Sequence, residues 1–180
     1  MKITLYGAAS NSIDRVYIDK VEELGYALAE NGCTMVYGGG STGLMGAAAR
    51  GMKRGNGNVI GVVPRFMHDF EPIYDECTEL IHTDTMAERK TLMEDLAEAF
   101  IIVPGGIGTF DELFQILTLK VLKQLDKPIV LYNINGFWDN MLSVLGVDMF
   151  KGFISKDVVD GFTICETPES VMQALLPKGE

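Results

Sequence analysis

Residues 101–113 read IIVPGGIGTFDEL. An apolar run meets Pro104, glycines stand at 105, 106 and 108, and Thr109, Asp111 and Glu112 follow. A short, unbroken apolar run is how a strand buried on both faces reads. The stretch beyond the glycines, residues 110–125, keeps the spacing of a helix. A strand that passes through a glycine turn into a helix is half of a β-α-β unit. Such turns lie at the carboxyl ends of strands, where α/β sheets bind ligands.

The rest of the chain repeats this alternation. Strands are expected at Ile3–Tyr6, Thr34–Tyr37, Val59–Val63, Glu79–His82, Ile101–Val103, Ile129–Tyr132 and Phe162–Cys165. Helices are expected at Arg15–Asn31, Leu44–Arg54, Met86–Ala97, Thr109–Leu125, Phe137–Phe150 and Pro168–Leu175. Gly32 stands where a left-handed residue would close the first helix. Continuous runs such as Ala99–Val103 and Pro128–Tyr132 point to two-sided burial. The expected fold is α/β: a doubly wound, mainly parallel sheet of about seven strands with helices on both faces, three layers in one domain over residues 1–180. The longest irregular stretch is Pro64–Cys77, and a loop of that length in a compact domain is often functional.

The 180 residues carry 25 acidic and 15 basic side chains, a net charge of −10. That field repels nucleic-acid phosphates, so no nucleic-acid partner is expected. A local loop can still bind a small anion. Cys33, Cys77 and Cys165 are odd in number and far apart, which reads as reduced thiols in a cytoplasmic protein. No run approaches the roughly 18 apolar residues of a membrane span, so no membrane partner is expected. His68 and His82 are isolated in sequence and lack ligand spacing, so no metal is expected. No serine has a recognisable elbow or base partner.

A second glycine turn occurs in VYGGGSTGLMGAAAR, residues 36–50. Gly38, Gly40 and Gly43 match G-x-G-x-x-G, but the next strand ends in Val62-Val63-Pro64-Arg65 without the acid a dinucleotide ribose requires. A phosphate-binding Walker loop is excluded because Leu44 stands where its lysine belongs. Two readings remain. The glycines bring backbone N–H groups and a helix start to an anion, or Gly46, Ala47, Ala48 and Ala49 simply let a helix pack close to the sheet.

The first turn also has two readings. Thr109-x-x-Glu112 fits a capping box with Thr109 as the N-cap. A cap does not require three glycines, whereas N–H groups of Gly106, Gly108 and Thr109 would cradle a phosphate with a carboxylate one turn away. Upstream, DTMAERKTLM (84–93) opens with a second capping box, Thr85-x-x-Glu88. Arg89 and Lys90 then stand at the helix end that disfavours cations. They are either solvated surface charges or partners of a bound phosphate.

Taken together, PGGIGTFDE (104–112), MAERK (86–90) and YGGGSTGLMG (37–46) resemble the cytokinin-activating phosphoribohydrolases, the "lonely guy" family long mislabelled as lysine decarboxylases. GVVPR and LDKPIVLYNINGFWDNML follow the same order, so the resemblance spans nearly the whole chain. It implies a Rossmann-like fold and cleavage of a nucleoside 5′-monophosphate to free base and ribose 5-phosphate, without a cofactor. By position it implies Arg89 and Glu112 as the catalytic pair, and Gly105, Gly106, Gly108 and Thr109 around the phosphate. Lys90, Gly39, Gly40, Glu71 and Thr118 would contact substrate. One departure stands out: Gly7-Ala8-Ala9-Ser10 replaces the family's usual Gly-Ser-Ser, which removes hydroxyls near the expected nucleotide. A non-catalytic sensor of AMP-like nucleotides is the alternative. The helix after the glycines is apolar nearly all round, from Phe110 to Leu125, so a homodimer with its site near the interface is expected.

Overall fold

The computed structural model describes residues 1–146 and 151–176. Its sheet has seven strands: β1 (Lys2–Tyr6), β2 (Thr34–Tyr37), β3 (Asn58–Pro64), β4 (Glu79–Thr83), β5 (Ala99–Ile102), β6 (Ile129–Tyr132) and β7 (Thr163–Cys165). All neighbours are parallel and the order is β4-β3-β2-β1-β5-β6-β7. The chain winds outward from β1 to β4, then returns to place β5 on the other side of β1. Tyr6 pairs with Ile102 at the carboxyl end of that junction. Strand order reverses there, which opens a crevice between neighbouring loops.

Helices α1 (Arg15–Glu30), α2 (Gly43–Arg54) and α7 (Pro168–Leu175) cover one face over Ile3, Leu5, Met35 and Ile101. Helices α3 (Met86–Leu96), α4 (Ile107–Val121) and α5 (Asp139–Leu145) cover the other over Tyr6, Val36, Phe100 and Ile102. Alternate residues of a strand serve opposite cores, as the two-residue repeat demands. Thr4 is buried among them and its hydroxyl donates to the Met93 carbonyl at 2.9 Å. A short α6 (Lys156–Val159) lies against α4. Helices α1 and α2 approach so closely that a Cβ on Gly25 would strike the Ala48 carbonyl, and one on Gly51 the Glu22 carbonyl. The fully buried Ala47, Ala48 and Ala49 therefore serve helix packing. No helix among the described residues is long and apolar enough to cross a membrane.

Several expected boundaries move. Helix α4 begins at Ile107, with Gly106 as its N-cap and no side-chain capping bond. Thr109 is thus inside the first turn, and the capping box proposed for Thr109 and Glu112 does not form. Glycine accepts the cap position nearly as well as a polar residue, so the helix starts earlier. It stops at Val121 because Lys123 turns left-handed, at φ 58°. The helix expected over Phe137–Phe150 starts only at Asp139, after a 3₁₀ turn at Ile134–Gly136. There the Asn133 side chain accepts from the Trp138 N–H and donates to Asp139, both at 2.8 Å. Residues 147–150 of that expectation lie outside the described residues. The irregular stretch after β3 contains a 3₁₀ turn, Arg65–Asp69. Gly32 does take the left-handed geometry after α1, at φ 68°.

Candidate active site

Three loops meet at the crevice: one after β1 (7–10), one after β2 (38–42) and one after β5 (103–106). They enclose a cleft of about 330 Å³. The first intrahelical bond of α4 runs from the Phe110 N–H to the Gly106 carbonyl, 3.0 Å. The N–H groups of Gly106, Ile107, Gly108 and Thr109 precede it and have no intrahelical acceptor. With the positive end of the helix dipole, they make an anion site. A Cβ added at Gly106 or Gly108 would meet no protein atom within 4 Å, whereas at Gly105 it would collide with the Thr109 side chain.

The β2 turn looks alike in sequence but differs in its bonding. Leu44 N–H donates to the Ala8 carbonyl at 2.8 Å, Met45 N–H to the same oxygen at 3.4 Å, and Gly46 N–H to Thr42 at 2.9 Å. The Thr42 hydroxyl donates to the Ala9 carbonyl at 2.6 Å. Gly43 has φ +57°, and a Cβ there would press on the backbone of residues 8–10. The start of α2 is therefore stitched to the β1 turn. The first amides of α2 are therefore not a second anion cradle.

Arg89 reaches the cleft from the first turn of α3. Thr85 caps that helix: its hydroxyl accepts from Glu88 N–H at 3.1 Å, and Glu88 returns the bond to Thr85 N–H at 3.3 Å. The guanidinium passes beneath Gly38, where any Cβ would collide with it. Its Nη2 lies 3.6 Å from Glu112 Oε1, and its Nε is buried without a hydrogen-bond partner. Glu112 projects from the second turn of α4 and is buried. Burial raises its carboxyl to about 7 against an opposing pull from Arg89. The Glu71 carboxylate lies against Gly40; burial raises its carboxyl too, and Arg89 again lowers it. Its loop is pinned to the β2 turn by Tyr74 N–H to the Gly39 carbonyl, 2.8 Å, and Ser41 N–H to the Pro72 carbonyl, 2.9 Å.

Of the sequence-derived residues, Gly40, Glu71, Arg89, Gly106, Gly108, Thr109 and Glu112 line this one cleft. Gly39 supports it from behind through its carbonyl and φ of +79°. Gly105 faces an adjoining cavity. Lys90 pairs with Asp111 at 3.0 Å and does not line the cleft. Thr118 lies apart, exposed, with its hydroxyl on the Phe114 carbonyl at 2.7 Å. Being six residues past Glu112, it falls on a different helical face. Sequence reasoning missed Tyr6, Met45 and Gly38 as cleft residues. Tyr6 could have been found as the last residue of the strand at the switch point. Among the described residues, no group of three or more His, Cys, Asp or Glu could hold a metal ion.

The family model described as "Possible lysine decarboxylase" matches residues 45–175. A cytokinin riboside 5′-monophosphate phosphoribohydrolase of Mycobacterium tuberculosis is 35% identical over 175 residues, covering 97% of this chain and 93% of that protein. The Oryza sativa protein of that name is 38% identical over 156 residues, covering 87% of this chain and 64% of the other. Among solved structures, a molybdenum cofactor carrier protein from Chlamydomonas reinhardtii aligns with TM-score 0.72 at 22% identity, covering 96% of this chain and 94% of that one. At that identity the likeness is one of fold.

Proposed function

The chain belongs to the family of cytokinin riboside 5′-monophosphate phosphoribohydrolases, and on that premise we propose that its cleft hydrolyses the N-glycosidic bond of a purine or cytokinin riboside 5′-monophosphate, plain AMP included. The products are free base and ribose 5-phosphate. The observation that carries this reading is the buried Arg89–Glu112 pair, 3.6 Å apart, one turn from the N–H groups that open α4.

The phosphate binds at Gly106–Thr109 and directs the ribose toward Glu112. Positive charge develops on the ribose ring as the bond from C1′ to the base nitrogen breaks and its electron pair leaves with the base. The Glu112 carboxylate stabilises that charge and takes a proton from the water that adds to C1′; the departing base nitrogen takes up a proton from solvent and Glu112 gives its own back to solvent. A carboxyl near 7 gains and loses protons close to neutral pH, as such a base requires. Arg89 holds the carboxylate in place and balances the phosphate. Glu71 lines the cleft beside Gly40 and contacts the nucleoside. The word decarboxylase in the family description fits these residues poorly. A pyridoxal enzyme needs a lysine to form its Schiff base, yet no lysine among the described residues lines the cleft, and Lys90 is held by Asp111.

A second copy of the chain is proposed to cover the outer face of α4. Ile107, 88% exposed, stands there with the exposed Phe114 and Leu122. Light scattering at micromolar concentration checks this: a dimer mass is expected, and Phe114→Glu should shift it to the monomer. Cys33, Cys77 and Cys165 stand as free thiols, which suits the cytoplasm.

The reaction is tested by incubating the protein with AMP and isopentenyladenosine monophosphate and separating the products by chromatography. Free base is expected, and Glu112→Gln should lower kcat/KM by about 10²–10⁴ with an unchanged circular dichroism spectrum. Full activity in Glu112→Gln would overturn the role of that residue. Nucleotide bound tightly but never cleaved would return the reading to a sensor.

A further inference from the structure

The anion site lies at α4, so the three consecutive glycines of the β2 turn, Gly38, Gly39 and Gly40, need another explanation. Only Gly39 requires glycine for its backbone: its φ is +79°, whereas Gly38 and Gly40 have no positive φ. The other two differ in what a side chain there would touch. A Cβ at Gly38 would overlap Nη2 of Arg89 and lie 3.3 Å from its Cζ, and its three nearest atoms all belong to that guanidinium. A Cβ at Gly40 would lie 3.0 Å from Oε1 of Glu71 and 3.2 Å from its Cδ. All four residues line the cleft. Two charged side chains thus rest on two bare backbone positions of one turn.

Non-bonded heavy atoms pack at about 3.5 Å, so a methyl group at Gly38 would drive Nη2 about 1 Å away. The same Nη2 faces Glu112 Oε1 at 3.6 Å. Little else fixes the guanidinium: Nη1 donates to Met86 Sδ at 3.7 Å, and Nε is buried without a partner. Its place is set by packing, and the surface it packs on is Gly38. We infer that Gly38 is a positioning residue, whose bare backbone seats Arg89 at its working distance from Glu112, with Gly40 as a lesser seat for Glu71. The atom in the way is the far end of a long side chain, not backbone. Alanine at 38 therefore displaces the arginine and leaves the fold. The catalytic consequence rests on the hydrolysis proposed above; the seat itself does not.

Gly38→Ala in the full-length protein tests this. Its kcat on AMP or isopentenyladenosine monophosphate should fall about 10²-fold, the cost of a misplacement of about 1 Å. KM should change by less than about threefold, because the displaced charge stays in the cleft and the amides of α4 are untouched. Arg89→Lys removes the nitrogen that the methyl group strikes. Adding Gly38→Ala to Arg89→Lys should therefore lower kcat by less than about threefold more. Gly40→Ala, whose Cβ meets its neighbour at 3.0 Å, should lose less than Gly38→Ala. The guanidinium is also followed without turnover, by the nitrogen–proton NMR resonance of Arg89 Nε, assigned by its loss in Arg89→Lys. Gly38→Ala should shift that resonance and leave backbone amides remote from the turn in place. Wild-type kcat in Gly38→Ala, an equal loss of kcat in both backgrounds, an unmoved Nε resonance, or collapse of the amide spectrum overturns the seat. The two proposals fail separately. A protein that cleaves no nucleotide but shows the shifted resonance loses the reaction alone, and an active protein whose resonance stays put loses the seat alone.

Discussion

Gly106 and Gly108 show what a residue pattern can and cannot disclose. In the sequence, three glycines before a helix read as backbone freedom together with exposed N–H groups. The freedom is not used: Gly106 has φ −98°, and none of the three has a positive φ. Gly105 is explained by the Thr109 side chain packed over it, while Gly106 and Gly108 face open space. Thr109 was legible as a residue of the site but not as a residue inside the helix, because the alternative cap three residues earlier, Gly106, leaves no side-chain signature. Gly108→Ala separates fold from function. Urea unfolding should show stability unchanged or raised by up to about 1 kcal/mol, since alanine is the better helix former. The new methyl group intrudes on the phosphate, so KM for the nucleotide should rise at least about tenfold, the cost of one lost charge-assisted hydrogen bond. An unchanged KM would remove the anion site from this turn.

Among the elements, α3 is the most legible and α5 the least. The box at Thr85 and Glu88 uses neighbours only three residues apart, so the sequence carries it completely. The start of α5 depends on Asn133 reaching Trp138 and Asp139, a choice made by a side chain before a turn that periodicity does not register. The Arg-Lys misfit at the start of α3 is settled by another element: Glu112 and Asp111 on α4 supply the opposing charges. Because Thr85 fixes the turn that carries Arg89, Thr85→Ala should cost about 0.5–2 kcal/mol of stability in thermal unfolding. It should also lower kcat, since the guanidinium loses its fixed approach to Glu112. Thr85→Ser should restore both. Loss of stability without any loss of kcat would show that the cap does not position Arg89.

For the whole molecule, unbroken apolar strands alternating with amphipathic helices were enough to anticipate a parallel sheet covered on both faces. The order of its strands was not legible, because pairing joins residues as distant as Ile3 and Ala99 and leaves no local mark. That order is what brings Glu112, Arg89 and the glycine turn into one crevice, so the site could be listed from sequence but not assembled. It also couples the site to global stability. Glu112 has a folded-state carboxyl raised from 4.5 to about 7, so its protonated form favours the fold. That contribution is complete below pH 4.5 and is lost as pH rises through about 7. Between pH 4 and pH 8, the stability of Glu112→Gln relative to wild type should therefore rise by about 3 kcal/mol, measured by urea unfolding at both pH values. A gap independent of pH would mean that Glu112 ionises normally.

The two glycine turns look like twins in sequence and have opposite valence in the fold. At α2, the opening N–H groups of Leu44 and Met45 are already spent on the Ala8 carbonyl and that of Gly43 on the Asn11 side chain; at α4, the opening N–H groups are unspent. Of these two helix starts, that of α4 is open and that of α2 is closed by the β1 turn. The first amides of α4 keep their donors, whereas Leu44 and Met45 at α2 have already given theirs to Ala8. Which of two similar helix starts stays open to an anion thus follows from how one backbone turn satisfies itself.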